Sequence, residues 1–432
     1  MRTLSLAGTA REVQGHLNVL CRDIGTRLAA SENETRAAEY IAGAMRRIGL
    51  SNVSQPRFPF EEWGFDVCEL RVRDGAWRAV KCLPVNSPST PAKGIEAEVV
   101  YVDSATPAAM KGLDVKGKIL LVWGTYGETT ERLEYLAKLR PAAVMWLDDR
   151  LPFDWPAAVG TPYDWRDILP IPQVSIPYVE AWRLARGKKV RARLKMKTWR
   201  RAADSVNVFG DIPGTGDEFV HIGGHIDTVI VGTGADDDAS GVVATLEAAR
   251  CLLGRGARPC APTRRPRRTI RFVCYGGEEQ LSEGSRRYVL ANRKAAERTR
   301  LCINLDAVGS IAGRNEARVV GPKRLTQAVK RIEGYPCEVK EEVSPYSDMF
   351  AFNIFGAPSV WFYRVNMPTG RFFHHCEHDD LAVVSAAEIA RAAGATARLA
   401  YQAAYAEPSW RRTIPKPQAD QIRMYAKRFF GL

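Results

Sequence analysis

The sequence predicts a layered α/β domain with a mostly parallel central sheet, joined to a smaller strand-rich module. Two observations carry this expectation. Between residues 203 and about 405, near-continuous apolar runs alternate with stretches of helical periodicity. Runs of that kind suit strands buried on both faces, and their alternation with helices marks an α/β layer. Between about 60 and 200 the runs are shorter, β-rich and punctuated by Gly and Pro, which indicates a separate module.

Residues 9 to about 49 read as helix, because Leu17, Leu20, Ile24, Ala38, Ile41, Met45 and Ile48 recur at three- and four-residue spacing. In the module, VCELRVR (67–73), AEVVYV (97–102), GKILLVW (117–123) and AAVMWL (142–147) read as strands. In the larger domain the strand runs are VNVFGDI (206–212), FVHIGGHID (219–227), TIRFVCYGG (269–277), LCINLDAVG (301–309) and APSVWFY (357–363). Helical stretches at 238–253, 282–299 and 323–333 lie between them. From Glu407 onward the chain is basic and contains proline, as a tail or peripheral helix would. The expected organisation is therefore 1–60 (helical part of the main domain), 61–200 (β-rich insert), 201–406 (catalytic domain) and 407–432 (tail).

With 46% hydrophobic and 26% charged residues, the 432-residue chain has a globular balance, which excludes a disordered or fibrous protein. The formal charge of +13 owes much to RGARPCAPTRRPRRTIR (255–271), which holds seven arginines. No aromatic side chain is interleaved there for base stacking, so the stretch reads as a solvated loop and no nucleic-acid partner is expected. No apolar window is long enough for a signal peptide or membrane span. Nine cysteines without a CxxC pair suggest free thiols in a reducing compartment, hence a cytoplasmic protein.

Ligands of an open α/β sheet bind beyond the carboxyl ends of its strands. The polar residues at those positions are His225 and Asp227, Asp236, Glu278 and Glu279, Asp306, then His374, His375 and His378. Imidazoles with several carboxylates form a ligand set for zinc or a similar divalent ion. The number of carboxylates exceeds the three protein ligands of one catalytic zinc and suggests two ions, bridged by a carboxylate. In HID, residues two apart point the same way along a strand, so Asp227 can orient the His225 imidazole. In GGEE, one Glu can bind metal while the other serves as general base. Asp238, with Ser240 behind it, stands where a helix N-cap belongs.

In that order GGHIDTV, GADDDASG, YGGEEQLSEGS, NLDAVG and FHHCEHDDL resemble the co-catalytic dizinc aminopeptidases, a family that includes bacterial leucyl aminopeptidases, aminopeptidase Y, glutamate carboxypeptidase II and glutaminyl cyclases. The resemblance spans residues 203–400. It implies the three-layer zinc-exopeptidase fold, and GKILLVWG, AAVMWL and PIPQVSIP resemble a protease-associated domain inserted before it. It further implies that His225 and Asp306 hold one zinc ion, Glu279 and His375 the other, and Asp236 bridges them. Asp227 supports His225, and Glu278 moves a proton from the metal-bridging water to the leaving amine. His374 is a neighbour in the site, and the Asp236–Asp237 peptide is expected to be cis. Tyr346 and Asp348, in YSDMF, are expected beside the substrate, with Met349 where relatives often carry histidine.

The function implied is zinc-dependent hydrolysis of a peptide or amide substrate, with an aminopeptidase first; cobalt or manganese could replace zinc. A carboxypeptidase, dipeptidase or small-molecule amidohydrolase would share the metals and base, and Arg364 and Arg371 near the histidine motif could hold a substrate carboxylate. Glutaminyl cyclase, with one zinc, and a non-catalytic receptor-like relative are the remaining alternatives.

Overall fold

The computed structural model describes residues 8–124, 129–147, 153–187, 189–254, 265–367 and 372–432. Its strands, in chain order, begin with β1 (Ser51–Ser54), β2 (Arg57–Arg73), β3 (Trp77–Val80), β4 (Leu83–Pro84) and β5 (Ile95–Tyr101). Then come β6 (Ile119–Trp123), β7 (Ala143–Leu147), β8 (Gln173–Ile176), β9 (Arg191–Val206), β10 (Val208–Ile212) and β11 (Phe219–His225). The last are β12 (Thr269–Tyr275), β13 (Thr299–Leu305), β14 (Arg314–Val320), β15 (Glu338–Lys340) and β16 (Ser359–Val365). The chain divides into two compact units, 1–60 with 203–432, and 61–202.

The larger unit is built on an eight-stranded sheet ordered β1-β10-β12-β11-β13-β16-β14-β15. Its centre, β12-β11-β13-β16, is parallel, while β10 and β14 flank it antiparallel. Successive side chains of these central strands enter opposite cores. Ile270, Phe272, Ile303 and Phe362 join one apolar cluster with helices Glu32–Ile48, Ser240–Leu252 and Ala386–Tyr405. Val273, Cys302, Trp361 and Tyr363 join another, with Tyr288, Val289, Met349 and Phe352 from helices Glu283–Ala291 and Met349–Ile354. Burial on both faces is why the runs are continuous rather than alternating, and it makes a helix–sheet–helix sandwich.

The expected N-terminal helix is broken. It runs Ala10–Leu17, continues as a wider turn to Ile24, and restarts as Glu32–Ile48. Gly25 in a positive-φ conformation ends the first part, and the Ser31 hydroxyl accepts the Glu34 N–H to cap the second. At the other end, helix Lys416–Tyr425 packs on the unit through Phe350–Tyr425 ring contact.

The smaller unit holds a second eight-stranded sheet, ordered β3-β2-β9-β5-β6-β7-β8-β4. Its parallel block β5–β8 lies over a core of Ile119, Leu121, Met145, Val174 and Leu184. Among the described residues, no helix is long and apolar enough to cross a membrane. Most of the arginine-rich stretch, 255–264, lies outside the described residues; Arg268, beyond it, is buried and bonds Glu218 and Glu407.

A histidine that the motifs do not use gives a metal-independent test of this sandwich. His221, on β11, is wholly enclosed by Phe219, Tyr288 and Phe352, with Thr299 and Tyr288 hydroxyls at its ring nitrogens. Burial, with Arg271 nearby, holds its pKa well below the ordinary value. Below about pH 6.5 the unfolded chain therefore binds a proton that the folded chain refuses. The stability this contributes is complete above that pH and declines as pH falls, approaching about 1.4 kcal/mol per unit. In chelator, urea unfolding at pH 6.5 and 5.5 should cost the wild type about 1 kcal/mol more than His221→Gln. Parallel slopes would show that His221 protonates in the folded state.

Candidate metal centre

The four central strands run the same way, so their carboxyl ends deliver side chains to one rim of the sheet. His225 ends β11, Glu278 and Glu279 follow β12, and Asp306 follows β13. The loop after β16 brings His374 and His375, and the segment before helix Ser240–Leu252 brings the aspartate triplet.

Two groups of ligand atoms result: His225, Asp237 and Asp306, and Asp237, His374 and His375, each within 4.8 Å of one another. Asp237 belongs to both. Its Oδ1 lies 3.2 Å from His225 Nε2, and its Oδ2 lies 3.2 Å from His374 Nε2 and 3.5 Å from His375 Nε2. Beside the second group, Glu279 Oε2 lies 2.8 Å from His375 Nε2.

The residue common to the two groups is Asp237, where Asp236 was expected. Asp236 Oδ1 accepts the Gly309 N–H at 2.8 Å, and its carboxylate enters neither group. The cis peptide is likewise Asp237–Asp238, not Asp236–Asp237. Gly234 in the left-handed region turns the chain, and Asp237 (φ −113°, ψ 89°) leaves helical geometry, so the triplet does not point by simple alternation. Asp238, one residue before the N-cap Ala239, accepts the first-turn Gly241 N–H and the Ala307 N–H at Oδ1, and the His225 N–H at Oδ2. Gly224 and Gly241 allow this close meeting, since a Cβ on either would strike Asp238 and the Leu305 carbonyl.

Support for the ligands differs in one respect from the HID expectation. His225 Nδ1 lies 3.0 Å from the Asp227 carbonyl, which can only accept, so Nδ1 donates there and Nε2 is the nitrogen turned toward Asp237. The Asp227 carboxylate is farther from that nitrogen, 3.7 Å, and instead accepts the Glu278 and Glu279 N–H groups. It thus fixes the Glu pair. Asp379 accepts the N–H groups of Asp236 and Asp237, and Ser347 donates to Asp306 Oδ2 while accepting from Asn304. His375 adopts φ 58°, and the His374 and His375 ring centroids come within 3.7 Å.

Arg27 lies in the break of the N-terminal helix, a position helical periodicity passes over. It is wholly buried and donates to the carbonyls of Ile226, Thr233 and Gly234, tying both ends of the loop between His225 and the triplet. The signals for it are Gly25 and a cap sequence, Ser31-x-x-Glu34, inside the apparent helix. Of the residues expected at the substrate, Asp348 is wholly buried and its carboxyl is pushed up to about 7 by burial. It presents no surface to a substrate. Tyr346 is half exposed and packs edge-on to Phe429. Arg364 is buried and bonded to the Ser310 carbonyl, Asn315 and Glu388, while Arg371 lies outside the described residues.

The electrostatics fit a cation. Burial pushes Glu278 well above the usual carboxylate range, Asp348, Asp306 and Glu279 add to this, and His225 opposes it. Burial raises Glu279 as well, with Asp237 adding and His375 opposing. Carboxyls crowded in this way outweigh the two imidazoles that oppose them, and divalent ions among these donors would supply further positive charge.

The chain is similar to known proteins in sequence and in fold. Carboxypeptidase Q of Xenopus laevis is 26% identical over 83% of this chain and 79% of its own length. Aminopeptidase YwaD of Bacillus subtilis (strain 168) is 25% identical over 70% of this chain and 62% of its own. The structure of a peptidase M28 precursor from Shewanella amazonensis SB2B superposes with a TM-score of 0.78 at 20% identity, covering 94% of this chain and 97% of that one. Residues 207–400 match the model of peptidase family M28. This segment, similar to peptidase family M28, contains every residue of the two ligand groups, and the protein is a metallo-exopeptidase.

Proposed function

We propose that the protein is an aminopeptidase that uses two zinc ions. The observation that carries this reading is the Asp237 carboxylate, with one oxygen toward each ligand group. His225 and Asp306 would hold one ion, Glu279 and His375 the other, with Asp237 between them and His374 beside the second. When bound, the pair supplies Lewis acidity, polarising the scissile carbonyl and easing ionisation of water near neutral pH.

Glu278 is the general base in this reading. Ser282 Oγ holds its Oε1 at 3.2 Å, and Oε2 lies 3.9 Å from His225 Nε2. Glu278 takes one proton from the attacking water and gives it to the amide nitrogen as the C–N bond breaks, so amide and water become acid and amine. Asp227, through the Glu278 N–H, keeps that carboxylate at the rim.

A cleft of about 300 Å³ opens beside the second group, lined by Ser310, Ile311, Ala312, Gly313, Asn366, Phe372, Phe373 and Val383. None of these is cationic, and Arg364 is already committed, which supports an amino-terminal over a carboxyl-terminal mode. The relationship to carboxypeptidase Q favours the second reading, a carboxypeptidase or dipeptidase with the same metals and base. The smaller unit is read as a protease-associated-like insert, and the compartment as the cytoplasm.

Zinc content and hydrolysis of amino-acid anilides, free dipeptides and N-acetylated peptides, measured on one preparation, test this reading. Two zinc ions per chain with release from free amino termini is the expected result. Cleavage of N-acetylated peptides carrying a free carboxylate, with anilides untouched, would move the assignment to the carboxypeptidase reading.

A further inference from the structure

The smaller unit contains a pair of side chains that the peptidase chemistry does not use. Cys68, on β2, and Cys82, in the two-residue link between β3 and β4, bring their sulfurs within 3.4 Å. The backbone independently places them together. β2 and β3 pair with Arg73 opposite Trp77, Val72 opposite Arg78 and Leu70 opposite Val80. The same register carried two residues further sets Cys68 opposite Cys82. Residues opposite each other in antiparallel strands have Cα atoms about 4.5–5.5 Å apart, inside the range of about 4.4–6.8 Å that a disulfide accepts.

The topology gives this position a use. β3 and β4 lie at opposite ends of the sheet order, yet only Lys81 and Cys82 separate them. So few residues span no more than about 10 Å, and the sheet must curl until its two edges nearly meet. Cys82 stands at that seam, half-buried with Cys68 against the unit's core.

We propose that Cys68 and Cys82 form a reversible disulfide that staples this seam. With a small-molecule disulfide such as oxidised glutathione as oxidant, the Cys82 thiolate attacks one glutathione sulfur and expels the other as thiolate. The Cys68 thiolate then attacks the Cys82 sulfur of the mixed disulfide and expels the second glutathione. The two protein thiols lose two electrons and two protons, and the oxidant leaves as two reduced thiols. Cys68 is the later nucleophile because its hydrogen bond with Cys82 and its burial push its thiol well above the ordinary range. In a reducing compartment the pair rests as a dithiol and closes on oxidation.

The full chain, equilibrated in glutathione buffers of graded oxidised-to-reduced ratio, acid-quenched, alkylated and mapped by mass spectrometry, provides the test. The expected result is a peptide linked Cys68 to Cys82, lighter by two hydrogens and restored by dithiothreitol. The cross-link joins residues 14 positions apart. A closed loop of that size restrains the unfolded chain, so oxidation should raise an unfolding transition by several degrees in the wild type and not in Cys68→Ser. Cys68→Ala serves if the serine variant fails to fold. Both thiols remaining alkylatable in fully oxidised glutathione, a persistent glutathione adduct on Cys82, or linkage to another cysteine would overturn the proposal.

Discussion

Glu278→Gln lowers kcat by about 10²–10⁴-fold, the range that general-base catalysis supplies, while KM changes little and zinc content is unaltered. The expectation rests on where the two oxygens of Glu278 lie. Oε1 is anchored by Ser282, and Oε2 faces the site without joining either ligand group. Glutamine keeps the shape and the Ser282 contact but cannot accept the proton of water. Glu279→Gln behaves differently, because Glu279 Oε2 is 2.8 Å from His375 Nε2 and sits among the ligands; it loses metal together with activity. Steady-state kinetics beside metal analysis separate the two. A Glu278→Gln enzyme with undiminished kcat would remove Glu278 from the reaction.

Much of the site is legible in the sequence because parallel strands buried on both faces leave a simple signature. Each run must be apolar to its end, and the first residues beyond the rim are free to be polar. His225, Glu278, Glu279 and Asp306 are found by that rule. The rule weakens wherever the backbone leaves a regular period. Gly234 in a left-handed turn and the extended Asp237 re-aim the triplet, so counting residues cannot say which aspartate faces the histidines. The left-handed backbone at His375 likewise brings two consecutive imidazoles together. Asp227 misleads for a different reason: alternation places it beside His225, but its carbonyl serves the imidazole and its carboxylate the next loop. Arg27 is hidden by the apolar periodicity on either side of it, since the break at Gly25 carries no apolar signal of its own. Flanking strand β14, which the apolar runs do not mark, has Arg314, Asn315, Glu316 and Arg318 in its span, with Glu316 buried against Lys340 and Tyr363.

The triplet itself yields the largest contrast between neighbouring residues. Asp237→Asn is expected to cost about 10³-fold or more in kcat/KM, about 4 kcal/mol at 1.4 kcal/mol per tenfold, whereas Asp236→Asn should stay within about tenfold. Both changes remove one charge and almost no volume. They differ because Asp236 Oδ1 accepts the Gly309 N–H, a task an amide oxygen still performs, while Asp237 offers one anionic oxygen to each ligand group. Stability should move in opposite directions with and without metal. In chelator, Asp237→Asn relieves repulsion within a crowded acidic cluster and should unfold no more readily than the wild type. With zinc, the wild type gains stability as RT ln(1 + [L]/Kd), and the variant, binding weakly, gains much less. Zinc titration followed by thermal unfolding of both variants decides between the two aspartates. If Asp236→Asn lost the zinc-dependent gain and Asp237→Asn kept it, the bridging position would belong to Asp236 after all. The shared-carboxylate geometry would then have to form only when metal binds.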